Sequence, residues 1–234
     1  MGGLMRSIFA GLPLFFCISF STAQARESIR VESLKQGPPG AVAAEIRETL
    51  GTQGFRLMDS HGRPFADIWL RKGIPAGSKP EGPKGGIQFP CLADGELVGV
   101  LQFAAEGHDY REQTIAKGVY TMRYGLQPAN GDHLGVSAYR DYVLLLPSTK
   151  DKVLAAPQRR TLVETSAESA GTVHPAAFLL LAAPADAAKS GSAVIHDEEK
   201  NTWGVVLPLN LRVKESGEAA GLSVLLIVVG VATV

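Results

Sequence analysis

Cysteine is scarce. The 234-residue sequence holds only Cys17 and Cys91, and Cys17 lies inside an apolar N-terminal stretch. If that stretch is removed, a disulfide within the monomer is excluded, and Cys91, in Phe-Pro-Cys-Leu-Ala-Asp-Gly, reads as a small buried hydrophobe. Surplus charge is also lacking. Lys plus Arg and Asp plus Glu both number 23, so no bulk field exists to hold nucleic acid or an anionic membrane. Aromatic residues make up 7% of the chain. No internal repeat is present, and no linker divides the sequence into two domains.

Long hydrophobic runs are missing too. Residues 8–20 are apolar, behind a single basic residue, Arg6, and Ala23-Gln24-Ala25 follows as a small-residue cleavage site. A membrane-crossing helix needs roughly 20 apolar residues, so this segment reads as a signal peptide over residues 1–25 and not as a transmembrane span. The bulky Leu14-Phe15-Phe16 before Cys17 argues against a lipid-bearing cysteine. Cleavage removes Arg6 and no acidic residue, which leaves 22 basic and 23 acidic residues. The 209 residues that remain after 25 are removed can bury about 70% of their unfolded surface, so neither a metal nor a disulfide is needed for folding. The expected location is periplasmic or extracellular. Residues 222–234 are apolar but also short for a span, and read as a buried strand apolar on both faces, hence central.

What is present is alternation. Residues 26–41, with Pro38-Pro39-Gly40, read as a mobile lead-in, and residues 42–234 as a single β-rich domain. Residues 42–50 have helical composition, ended by Gly51. Gly54–Met58 and Pro64–Leu70 read as strands around the turn Asp59-Ser60-His61-Gly62. Residues 73–86 are dense in Gly, Pro and Lys and read as a loop. In Leu97–Phe103, Leu97, Leu101 and Phe103 are expected on one face, with Val98 and Val100 on the other. Residues 118–127 put Tyr120, Met122, Tyr124 and Leu126 opposite Val119, Thr121 and Arg123. Residues 142–146 form a short apolar run, and residues 158–169 a helix closed near Gly171. Residues 176–183, 193–196 and 203–214 complete the strands. In the last of these, Pro208 falls on the outer set, which suits an edge or a bend. Strand follows strand without regular helices between, so the expected fold is mainly β: an antiparallel β-sandwich or jelly-roll-like body with about two short helices.

Most catalytic signatures are missing. The Lys-rich loop lacks Gly-x4-Gly-Lys-Ser/Thr, because Pro83 follows Gly82. Asp59, Ser60 and His61 are neighbours in one turn, whereas triad members converge from separate positions. Ser137 lacks the second glycine of a nucleophile elbow. His108, Asp109, Asp132, His133, Asp141, His174 and His196 include no metal-binding spacing. If residues 97–103 and 118–127 pair antiparallel, the loops bearing His108 and His133 sit at opposite ends, roughly 30 Å apart. No metal and no cofactor is expected. Trp69, Trp203, Tyr139 and Tyr142 could form a sugar-stacking platform, although the alternation around both tryptophans favours packing.

The polar connection after residue 127 is the best candidate site. Pro128, Asn130 and Gly131 are turn formers, while Asp132, His133, Arg140 and Asp141 bring hydrogen-bonding groups to one loop. As one wall of a polar cleft, Arg140 would grip an anionic group, and Asp132 and His133 would hydrogen-bond or coordinate. The run Gly118-Val119-Tyr120-Thr121 through Pro147, with Ile68-Trp69-Leu70 and Thr172-Val173-His174-Pro175-Ala176, is similar to a group of predicted secreted bacterial proteins of unknown function. The resemblance spans about half of the mature chain. It implies bacterial origin, export and a β-rich fold, and identifies no catalytic residue. The resulting expectation is an exported, non-enzymatic domain that binds a small molecule or an envelope protein. The alternative is a hydrolase or metal-dependent enzyme with its site in the 130–141 loop.

Overall fold

The computed structural model describes residues 29–129, 137–190 and 193–230. Among these the chain forms β1 (Arg30–Leu34), α1 (Ala44–Arg47), β2 (Gly54–Met58), β3 (Pro64–Leu70), β4 (Ile74–Ala76), β5 (Leu97–Phe103), β6 (Gly107–His108), β7 (Thr114–Ile115), β8 (Gly118–Leu126) and β9 (Asp141–Pro147). Then follow α2 (Arg159–Ala170), β10 (Ala177–Ala182), a single 3-10 turn (Ala187–Ser190), β11 (Val194–Asp197), β12 (Thr202–Val213) and β13 (Ala219–Val229). The fold is mainly β with two α-helices, as the alternation predicts. No helix among the described residues is long and apolar enough to cross a membrane.

One sheet carries almost everything. Its order is β1-β2-β3-β5-β8-β9-β10-β13-β12-β11, and every neighbouring pair along that path is antiparallel. Beyond the path, β4 pairs parallel with β12, Ile74 opposite Leu211 and Ala76 opposite Val213. Only residues 71–73 separate β4 from β3, which belongs to the other half of the sheet. Three residues reach roughly 10 Å, so the β3 half and the β12 half are drawn together there. The sheet therefore curls until its halves face one another, the face-to-face packing expected of a sandwich. Side chains from both halves fill the space between them, including Leu57, Ile68, Leu101, Met122, Tyr124, Val205, Leu207, Val224 and Leu226.

The outer surfaces are largely covered as well. Trp69, Leu97 and Val100 point outward beneath Val42, Ile46 and Leu50. On the other half, Leu144, Leu146, Leu179, Val206, Leu225 and Ile227 lie under Leu162 of α2, Ala187 and Tyr110. β13 thus buries Val224 and Leu226 inward and Leu225 and Ile227 outward, between β10 and β12, as its two apolar faces require. α2 ends on Gly171, whose φ of 62° is the left-handed cap that a side chain resists. Pro208 lies on β12 where the partner on its outer flank has changed. Val206 N–H donates to Ala193 on one side, and Lys214 N–H to Ala76 on the other. Between them, with β11 ended and β4 not begun, a residue without N–H leaves no donor unpaired.

Four expectations need correction. The described part of the 26–41 lead-in contains β1, paired with β2 from Arg30–Met58 to Leu34–Gly54; it is an edge strand with no partner on its second flank among the described residues, so its sequence shows no clean alternation. The loop over 73–86 contains β4, three residues too short for a periodic signal. The helix over 42–50 is a single turn, because Leu50 bridges to Arg71. The faces of β5 are exchanged at its start. A bulge between Leu97 and Gly99 puts Leu97 with Val100 on the outer face and Val98 with Leu101 and Phe103 in the core.

The bulge depends on Gly99, where a Cβ would press into the carbonyl oxygen of Trp69 on β3. Gly99→Ala is expected to destabilise the fold by about 1–3 kcal/mol in urea denaturation. Gly221→Ala on β13, where a Cβ meets open space, is expected to stay within about 0.5 kcal/mol of wild type. Equal effects at both positions would remove this account of the bulge. Four of the five tyrosines, Tyr110, Tyr120, Tyr124 and Tyr142, have pKa values raised chiefly by burial, and Tyr142 is pushed up to about 12. The folded state therefore keeps protons that the unfolded chain gives up near pH ~10, and their contribution to stability is lost as pH rises through the folded values. Phenolate absorbance should appear together with alkaline unfolding. Four phenols titrating freely at about pH 10 in folded protein would contradict it.

Candidate functional site

The two described residues of the expected site are fasteners. Asp141 opens β9 and is fully buried. Its carboxylate accepts from the N–H of Gln88 at 2.7 Å, the N–H of Phe89 at 3.0 Å and the hydroxyl of Tyr124 at 2.5 Å. The same contact, after burial, helps raise the Tyr124 pKa. Asp141 thereby ties residues 87–89 to the floor of the sheet. Arg140 is half-buried, donates from Nε to the carbonyl of Gln127 at 2.6 Å, and its N–H meets the carbonyl of Gly86 at 3.0 Å. Asp132 and His133 lie outside the described residues. Ser137 is a turn residue, its hydroxyl accepting from the N–H of Tyr139.

Other polar residues that draw attention in the sequence are similarly occupied. Arg123 is buried on the outer face of β8, paired with Asp151 at 2.6 and 2.8 Å and donating to the carbonyls of Gly95 and Val153. Arg71, of the Lys-rich region, is buried against Glu96 at 2.6 Å; Lys79 meets Glu218 and Lys84 meets Glu81. The aromatic platform does not form. Trp69 is enclosed on the outer face with Nε1 donating to Gln36, Tyr142 is buried in a different outer cluster, and Trp203 stacks on His196 with ring centroids 4.0 Å apart.

A cleft of about 900 Å³ opens at the other end of the sheet from the 127–140 connection. The antiparallel registers place five chain segments around it: Ile29 before β1, residues 59–65 between and within β2 and β3, residues 103–112 after β5, the β11–β12 turn at Lys200 and Asn201, and the end of β13 at residues 228–230. This is the end that β4 does not draw shut. Its apolar lining is Ile29, Phe65, Phe103, Val228 and Val229, and its rim carries His61, Arg63, Glu106, His108, Glu112 and Lys200. Among the described residues both non-glycine residues with positive φ, Glu112 at 60° and Asn201 at 48°, border it.

The rim is organised by two aspartates. Asp59 accepts from the N–H groups of His61 and Arg63 and from Arg63 Nε, and its pKa is lowered by these bonds, the backbone contact from Arg63 foremost. Asp109 accepts from the N–H groups of Arg111, Gln113 and Ala177 and from the Gln113 side chain, which fixes the β6–β7 hairpin against β10. Asp59, Ser60 and His61 are not a relay: Ser60 Oγ lies 3.3 Å and Asp59 Oδ2 3.9 Å from the same ring nitrogen, Nδ1. A relay needs the nucleophile and the orienting carboxylate on different nitrogens of the histidine. Among the described residues no three His, Cys, Asp or Glu side chains are grouped to hold a metal. Sequence reasoning missed the cleft because its walls come from segments scattered over some two hundred positions, and only the strand order brings them together.

Asp141→Asn places an amide N–H against donors that need an acceptor. It is expected to cost about 1–3 kcal/mol in urea denaturation. Unchanged stability would mean that the carboxylate is free for chemistry after all. Comparison of the chain with protein families, curated proteins and solved structures finds no match.

Proposed function

We propose that the chain is an exported, non-enzymatic binding domain of the bacterial cell envelope, and that its small-molecule ligand seats in the cleft at the open end of the curled sheet. The observation that carries this reading is the cleft itself. Its volume of about 900 Å³ falls within the range of small-molecule sites, roughly 300–1,000 Å³, and it combines an apolar lining with a few polar groups at the rim. The walls are ends of paired strands and hairpins held by Asp59 and Asp109, so the site is formed before a ligand arrives. The N-terminal pattern of Arg6, the apolar run 8–20 and Ala23-Gln24-Ala25 supports export.

Two measurements test the reading. Mass analysis of the protein recovered from periplasm or medium should give a chain starting at Arg26; an uncut chain retained in the cytoplasm would end the export half. Backbone amide shifts, recorded against a panel of small amphiphiles of positive, negative and zero charge, should move at residues 59–65, 103–112, 200–201 and 228–230. Silence across the panel, or shifts confined to residues 137–141, would overturn the cleft as the binding site.

A further inference from the structure

Resting on that reading of the cleft, we propose that the site selects an organic cation: a protonated or quaternary amine carried on an apolar, preferably aromatic, body. Four acidic side chains line the cleft, Asp59, Glu106, Asp109 and Glu112, against two basic ones, Arg63 and Lys200. The bonding pattern sharpens the imbalance. Asp59 is held by Arg63 at 2.8 Å, so the two cancel, and Asp109 is occupied by its own hairpin and the N–H of Ala177. Lys200 lies 3.6 Å from Asp197 on the neighbouring strand. Among the described residues the side chains of Glu106 and Glu112 have no hydrogen-bond or ion-pair partner. They are the two carboxylates left to meet a ligand.

Their position is imposed by the fold. Glu106 precedes β6 and Glu112 precedes β7, so one hairpin presents both to the cleft. The hairpin lies flat on Phe103, because a Cβ at Gly107 would fall within 2.6 Å of that ring. Glu112 is kept in the left-handed region by closure of the turn, with Asp109 N–H donating to Gln113 and Glu112 N–H to Asp109. An l-residue disfavours that conformation and glycine is the usual occupant, yet this turn carries a carboxylate beside an apolar wall. A cleft with low-dielectric walls concentrates the field of its unbalanced charge. Phe65 and Phe103 add apolar surface that accepts the ligand body. An anion would have to approach two uncompensated carboxylates, while Arg63 is already paired with Asp59 and Lys200 lies near Asp197.

Matched probes test this: phenylbutylamine and phenylbutyrate, which share a body and differ in charge, titrated calorimetrically into the mature protein at pH ~7. The amine is expected to bind at least about tenfold more tightly than the carboxylate, with affinity falling as salt is added. In the double variant Glu106→Gln/Glu112→Gln the amine should weaken by about tenfold or more, while the thermal midpoint without ligand stays near wild type because neither carboxylate has a partner to lose. Tighter binding of phenylbutyrate at the cleft would overturn the cation assignment and leave the cleft as a binding site. Amine binding that the double variant does not weaken would overturn the role of these two residues. Failure of both probes to bind, or to move cleft amides, would remove the cation proposal together with the reading beneath it.

Discussion

The structure depends on a short reach of chain. β3 is bonded to β2 and β5, and three residues later its continuation β4 is bonded to β12 at the far side of the same sheet. That crossing cannot lengthen, so the two halves are tied where β4 sits. The tie is reinforced by Arg71 within it, whose N–H bonds to Val98 and whose guanidinium is buried on Glu96. Strand twist then does the rest: a sheet pinned at one end wraps its inner face around a single core. At the opposite end no strand among the described residues bridges the halves, and there the core borders the cleft through Phe65, Phe103 and Val228. Closure at one end and the cleft at the other follow from one connection.

The buried polar groups divide by what surrounds them. Arg123 with Asp151, Arg71 with Glu96, and Asp141 with Tyr124 are enclosed, and Arg123, Asp151 and Asp141 make further bonds to neighbouring backbone and side chains. Arg123 joins β8 to the loop at Asp151, Asp141 joins β9 to residues 88–89, and Arg71 with Glu96 joins the end of β3 to the start of β5. Removing one partner leaves a charge or a donor stranded in a low-dielectric interior, at a cost of about 3–5 kcal/mol for an ion pair. Such groups give the loops fixed positions without gaining much stability over a well-packed apolar replacement. Glu106 and Glu112 are different in kind, being exposed at a concave surface with no internal partner to satisfy.

Much of the fold is legible in the sequence because alternation records burial. β8 and β12 appear where apolar residues repeat every second position, β13 where an unbroken apolar run marks a strand covered on both faces, and α2 ends where Gly171 permits a left-handed turn. The failures have local causes. β1 buries too little of each side chain to leave a pattern, and β4 is short, holds Pro75 and is flanked by Gly73 and Gly77. The faces of β5 exchange at a bulge that a periodic reading cannot contain. Asp141 was legible as a polar residue in a polar loop, but a carboxylate that serves solvent and one that caps two buried N–H groups look the same in one dimension. The cleft was not legible at all, since Ile29, Phe103 and Val228 share no motif and meet only through strand order.

Pro208 has a consequence beyond the monomer. A sheet that does not close fully leaves rows of backbone groups able to recruit another chain, the route by which β proteins stack into fibres. Along the outer flank of β12, the stretch that neither β11 nor β4 covers carries a residue that cannot donate. At the other margin, β1 exposes Arg30 and Glu32, charges that a docking strand would have to strip of water. The molecule can thus keep an unsealed wall, and the opening it leaves for a ligand, without offering that wall as a template for polymerisation.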